Sequence, residues 1–152
     1  MAHTGYTIQM KIKMITLHLL DGSILNGQIF VSEYSPRHAG EEKIDEFFEQ
    51  DTLFFPFKIN NEFMLFSKNS VLFIEYDTEK DLSIYNRVYA DIILSGGKVV
   101  SLSVPISVST PVARLSDQVN QKEKFLLLTD ENLKKTYLIN KSHIISIRER
   151  SR

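Results

Sequence analysis

An internal repeat constrains this chain more than any other feature. Asp45-Glu46-Phe47 aligns with Asp117-Gln118-Val119, and without a gap Leu53-Phe54-Phe55-Pro56-Phe57 aligns with Phe125-Leu126-Leu127-Leu128-Thr129. One residue of slack brings the stretch from Phe66 to Ile74 onto the stretch from Ile139 to Ile147. Upstream, the segment from Ile15 to Gly22 matches the segment from Ala90 to Gly97. Any two β proteins share apolar alternation. Four blocks in one order at nearly constant spacing point instead to tandem duplication. A unit of about sixty residues buries little of its surface alone, so packing of two units, or an oligomer, follows from the size.

Each unit reads as strand, strand, connection, strand, strand, strand. Leu17 and Leu19 alternate with Thr16 and His18, the period of a half-buried strand. Asp21-Gly22 is a hairpin turn, because glycine accepts positive φ. A return strand follows over 24–32. In the second unit the turn is Ser95-Gly96-Gly97-Lys98 and the return strand covers 99–108. Polar connections over 33–50 and 109–122 carry Pro36 and Pro111, which interrupt regular structure. Within the first, 41–50 fits one or two helical turns, with Ile44, Phe47 and Phe48 on one side. Closing strands are expected over 52–58, 62–67 and 71–76, and over 124–129, 135–140 and 143–148. Pro56 cannot donate to a ladder, which puts its strand at an edge or a bulge. The expected division is an N-terminal extension over 1–13, a first unit over 14–77, a linker over 78–87 and a second unit over 88–149. Five short strands per unit imply a strongly bent sheet that hides its edges by closing.

The spacing Leu17-x-Leu19-x-Asp21-Gly22-x-Ile24-Leu25-x-Gly27-x-Ile29 resembles the first half of the Sm-like motif. Asp117-Gln118-Val119-Asn120 resembles its Asp-x-apolar-Asn loop. Ile139-Asn140-Lys141-Ser142-His143-Ile144 stands where that family turns into its last strand. Together with Arg114-Leu115-Ser116 and Phe125, these elements also resemble an uncharacterised bacterial family with Sm-like barrels. The resemblance implies an all-β fold of two tandem small five-stranded Sm-like or SH3-like barrels, with short helical turns in the connections. It further implies that Asp117, Asn120, Asn140 and Lys141 contact single-stranded RNA, holding a base and placing a cation near phosphate. The other reading of these four residues is plain turn chemistry, since Asp and Asn side chains cap their own backbone.

Composition narrows the function classes. The net charge of −1 argues against a protein that grips nucleic acid through a large positive field. With no cysteine there is no thiolate nucleophile and no Cys-ligated metal. No secretory h-region opens the chain and no apolar run reaches membrane-helix length, so a cytoplasmic protein without a membrane partner is expected. His38 with Glu41 and Glu42 is a local cluster with no third anchor, and His18 and His143 fall on expected strands. No nucleophile–His–carboxylate order, phosphate loop or dinucleotide fingerprint is present. We therefore expect no enzyme, cofactor or metal. From Arg114 to Arg152 there are nine Lys/Arg against five Asp/Glu, whereas 33–51 holds seven Asp/Glu against two Lys/Arg. Opposite patches on one chain suit head-to-tail association, and equally suit solvated faces. Phe54, Phe55 and Phe57 form a candidate protein-contact surface, because alternation leaves one set of aromatics outside. The expected function is a non-catalytic interaction or assembly module that associates with itself or with another protein, with a pseudo-symmetric ring as one form of assembly. RNA binding by an Sm-like barrel is the alternative.

Overall fold

The computed structural model describes residues 10–108 and 114–150. It is all-β apart from short helical pieces. Ten strands run β1 (Met10–Leu19), β2 (Ile24–Ser32), β3 (Phe54–Ile59), β4 (Glu62–Ser67), β5 (Val71–Asp77), β6 (Asn86–Leu94), β7 (Val99–Ile106), β8 (Phe125–Asp130), β9 (Lys135–Asn140) and β10 (Ile144–Glu149). Helix α1 (Ile44–Glu49) joins β2 to β3, and α2 (Leu115–Val119) lies between β7 and β8.

All ten strands belong to one antiparallel sheet ordered β10-β6-β7-β8-β9-β5-β1-β2-β3-β4. Each half therefore has the same internal order, with its fifth strand at one end and its fourth strand at the other. The halves meet where β5 pairs with β9. Two separately closed barrels were expected. The hydrogen bonding shows a single continuous sheet instead, because the edge that β5 would use for closure is taken by the other half.

Two hydrophobic cores form, one per half. The first gathers Ile15 and Leu17, Ile29 and Val31, Phe47 and Phe48, Phe55 and Phe57, and Ile74. The second gathers Ala90, Ile92 and Leu94, Val100 and Val104, Leu126 and Leu128. At the seam, opposite faces of one strand pair serve different cores. Ile74, Tyr76 and Leu138 belong to the first, while Phe73 and Ile139 belong to the second. Alternation along β5 and β9 thus ties the two cores together.

Local chemistry explains the bends. Asn60 and Asn61 both take positive φ (47° and 68°), as a tight hairpin between β3 and β4 requires. β2 meets β3 at a single register pair, Gln28 with Lys58. Gly27 sits beside that crossing, where a Cβ would lie 2.5 Å from the Phe57 ring and 2.6 Å from the Lys58 carbonyl. Pro56 faces Leu65 on β4. Its strand is thus not at the edge, which is β4; the proline is tolerated because β2 has no pair with β3 at that position.

Several sequence expectations need correction. β1 starts at Met10 and so takes in part of the expected extension over 1–13. β6 starts at Asn86, inside the expected linker over 78–87. Segment 115–119 forms α2, one of the short helical turns expected in the connections. From α1 through β3 the repeat alignment is off by one residue. Glu46 matches Asp117, since each accepts from the backbone N–H three residues before it, at Lys43 (2.9 Å) and Arg114 (3.0 Å). Phe54 matches Phe125, since they face Ser67 and Asn140. Phe48 consequently corresponds to Val119 and not to Asn120. The expected break at Pro111 lies outside the described residues. Among the described residues no helix is long and apolar enough to cross a membrane.

Candidate functional site

The seam sets the pattern for the exposed edges. Across it Phe73 faces Ile139, Ile74 faces Leu138, Glu75 faces Tyr137, Tyr76 faces Thr136 and Asp77 faces Lys135. Asp77 accepts from Lys135 Nζ at 2.7 Å. Around the strands, the Glu49 carboxylate at the end of α1 accepts from the backbone N–H of Lys124 (2.8 Å) and Phe125 (3.0 Å). Phe48 sets its ring 5.9 Å from that of Phe125. The acidic connection of the first half and the basic second half therefore meet inside one chain.

Asn140 is a seam residue, 6% exposed. Its Nδ2 donates to the carbonyls of Lys68 (3.1 Å) and Val71 (3.0 Å). Its Oδ1 accepts from Ser142 N (3.1 Å) and Oγ (2.7 Å). Every hydrogen-bonding position that points inward is spent on structure. Lys141 Nζ donates to the Gln121 carbonyl at 3.0 Å, and burial holds its pKa below the usual lysine value. Asp117 is engaged at the start of α2, and Asn120 Nδ2 donates to the Ser116 carbonyl at 2.8 Å. Asn140 and Lys141 thus lie at the seam, while Asp117 and Asn120 lie on α2 and its end.

The proposed aromatic surface divides. Phe55 and Phe57 are core residues, 2% and 0% exposed, and only Phe54 is exposed. Alternation explains the split, since Phe55 and Phe57 share the inward face of β3. The apolar surface that the sequence reading missed lies one strand further on. Phe63, Met64 and Leu65 are all exposed on β4, the outermost strand. On the same outer side, Ile12 faces Phe30 across β1 and β2, and the Phe30 ring lies 5.5 Å from that of Phe63. Lys58 Nζ sits 5.5 Å over the Phe63 ring. Continuous apolarity in the run Phe63-Met64-Leu65-Phe66, with no alternation, was the available signal.

The other edge is β10, where Ile145 is exposed. Arg148 Nη2 lies 2.8 Å from Asp91, which Ser101 Oγ also bonds at 2.6 Å. These contacts hold β10 against β6, and among the described residues no strand pairs with its far side.

The remaining candidates are occupied by structure. His38 pairs with Glu46, which also accepts from Ser35 Oγ at 2.9 Å, while Glu41 binds Lys11 at 2.8 Å and also Lys13. Glu42 accepts from Ser32 N and Gln50 Nε2. The three members of the His38 cluster thus have separate protein partners. His18 stacks on Phe73 at 4.0 Å and reaches Glu75 at 2.9 Å. His143 Nε2 meets the Asn69 carbonyl at the seam. A cavity of about 290 Å³ lies between α1, the segment before β6 and α2; Asp45, Glu49, Lys80, Gln118 and Lys141 line it. Comparison with protein-family models, curated proteins and solved structures finds no match.

Proposed function

We propose that this chain is a non-catalytic assembly module, built from two bent, five-stranded Sm-like halves, that associates with itself through its free sheet edges. The identical strand order in the two halves, each wrapped on its own core, supports the barrel-like reading of each half.

The observation that carries the reading is β4. An edge strand offers unpaired N–H and C=O groups, and soluble proteins commonly blunt such strands with charge, proline or cover. β4 has Glu62 at its start and then four apolar residues in a row, three of them exposed. A strand of this kind is suited to a partner strand. The seam inside the chain provides a worked case, because β5 and β9 satisfy the same need between the two halves.

Sedimentation velocity over a wide concentration range tests the reading. The expected result is a species of more than one chain that dissociates on dilution. A strict monomer throughout would refute it.

A further inference from the structure

The cavity of about 290 Å³ between α1, the segment before β6 and α2 is walled by both halves of the chain, and Leu82, Phe125, Leu127 and Leu138 give it an apolar wall. Its charged groups are of two kinds. Asp45 is held by Lys80, and the two Glu49 oxygens accept from the backbone N–H groups of Lys124 and Phe125. Lys141 and Glu123 lack such partners. Lys141 Nζ donates to the Gln121 carbonyl at 3.0 Å, as its repeat counterpart Lys68 donates to the Gln50 carbonyl. An ammonium has three N–H groups, so two remain. The carboxylates of Glu123 and Glu49 stand within electrostatic reach of Lys141, but burial outweighs them and keeps its pKa below the usual lysine value. Among the described residues neither carboxylate forms an ion pair with Lys141, and Glu123, at the exposed rim, has no hydrogen-bond partner. Gln118 Oε1 accepts from Ser107 N (2.8 Å) and Oγ (3.2 Å), which leaves the amide N–H groups of Gln118 unspent.

We propose that this cavity binds a free α-amino acid with an aliphatic side chain of leucine's size, its carboxylate on Lys141 and the Gln118 amide, its ammonium on Glu123 and its side chain against the apolar wall. Size and charge together select this class. Ligand pockets commonly run to about 300–1,000 Å³, so a cavity at the bottom of that range has room for one amino acid and not for a nucleotide. A phosphate dianion would meet the carboxylates of Glu49 and Glu123 beside a single ammonium, and like charges repel. A simple amine would leave the partly buried Lys141 without an anion to offset its desolvation. A zwitterion supplies both signs a few bonds apart, which fits an acid and a base that are near one another but not in contact. Both of its bonds to charged side chains are charge-assisted, the stronger class of hydrogen bond. The site uses neither free sheet edge, so the proposal stands or falls separately from self-association.

Calorimetric titration of the full native chain tests the proposal with four probes. L-Leucine is expected to bind saturably with a Kd of about 1 mM or tighter, and to raise Tm as a ligand of the folded state does. 4-Methylpentanoate lacks the ammonium, 3-methylbutylamine lacks the carboxylate and glycine lacks the side chain; each is expected to bind about tenfold more weakly or worse. Two variants then assign the contacts. Lys141→Met weakens leucine about tenfold and leaves 3-methylbutylamine unchanged, while Glu123→Gln weakens leucine and leaves 4-methylpentanoate unchanged. Thermal melting without ligand confirms that both variants are folded, and the four-probe comparison on the native chain decides the matter even if one is not. Absence of saturable leucine binding below about 10 mM overturns the proposal. So do truncated ligands that bind as tightly as leucine, or a folded Lys141→Met variant with native leucine affinity.

Discussion

Replacing Phe48 by alanine removes a side chain that is 0% exposed and packs by its edges and faces against three other rings. The ring centroids of Phe47, Phe55 and Phe125 lie 5.0, 5.1 and 5.9 Å away. Truncating a buried Phe costs about 3–5 kcal/mol. Favourable aromatic pairs each add about 0.5–1.5 kcal/mol beyond area. The expected loss is therefore in the upper part of the range, about 4–5 kcal/mol. For a chain of this size that lowers Tm by about 8–20 °C. Phe125 belongs to the second half, so the loss falls on a contact shared across the seam. Calorimetry is expected to show one transition moving down as a whole. Phe48→Leu keeps most of the volume and costs about 1.5 kcal/mol or less. The reasoning is refuted if Phe48→Ala shifts Tm by less than about 3 °C, or if one transition falls while a second stays at the native temperature.

Gly27→Ala drives a methyl group into the Phe57 ring and the Lys58 carbonyl, and urea unfolding is expected to show a loss of about 1–3 kcal/mol; unchanged stability would mean that β2 and β3 do not cross so closely. Asn140→Ala strands the Lys68 and Val71 carbonyls at the seam, so denaturant unfolding is expected to show a loss of about 2 kcal/mol or more, whereas Asn140→Asp, which removes the same donor and adds a charge, is expected to be no better tolerated. Hydrogen bonds from Lys11 and then Lys13 hold the Glu41 carboxyl down to about 2. A depressed carboxylate stabilises fully above its unfolded value near 4.5 and loses that contribution as pH falls toward 2. Acid titration of thermal stability is accordingly expected to be shallower between those limits in Glu41→Gln than in the native chain, and identical slopes would contradict the assignment.

Much of the fold was legible from local pattern. The bounds of β2, β4 and β9 follow from turn residues and apolar alternation, and the side of α1 carrying Ile44, Phe47 and Phe48 is the buried one. The start of β1 was hidden because its polarity inverts. The alternation that sends Ile15 and Leu17 inward puts Lys11 and Lys13 on that same face, and Met10, Ile12 and Met14 outside. Glu41 and Glu79 supply the partners that make this arrangement tenable, and both come from distant positions in the chain. The position of α2 within its connection was not legible, because only Leu115 is buried there, too little of an apolar stripe to place its ends. The one-residue slip arose because Asp45 and Asp117 are the same residue type, while the helix-start hydrogen bonds follow Glu46 and Asp117.

The sequence repeat, all-β character and the residue types at each turn were set by the linear order of the chain, because hairpin geometry and alternation act over a few residues. Which edges pair was decided by tertiary structure alone. β5 and β9 contain no local signal for one another; they meet because each half leaves one strand edge unsatisfied and one apolar row uncovered, and the nearest complementary strand belongs to the other half. The same physical requirement leaves β4 and β10 open among the described residues, and no run of neighbouring residues announces it.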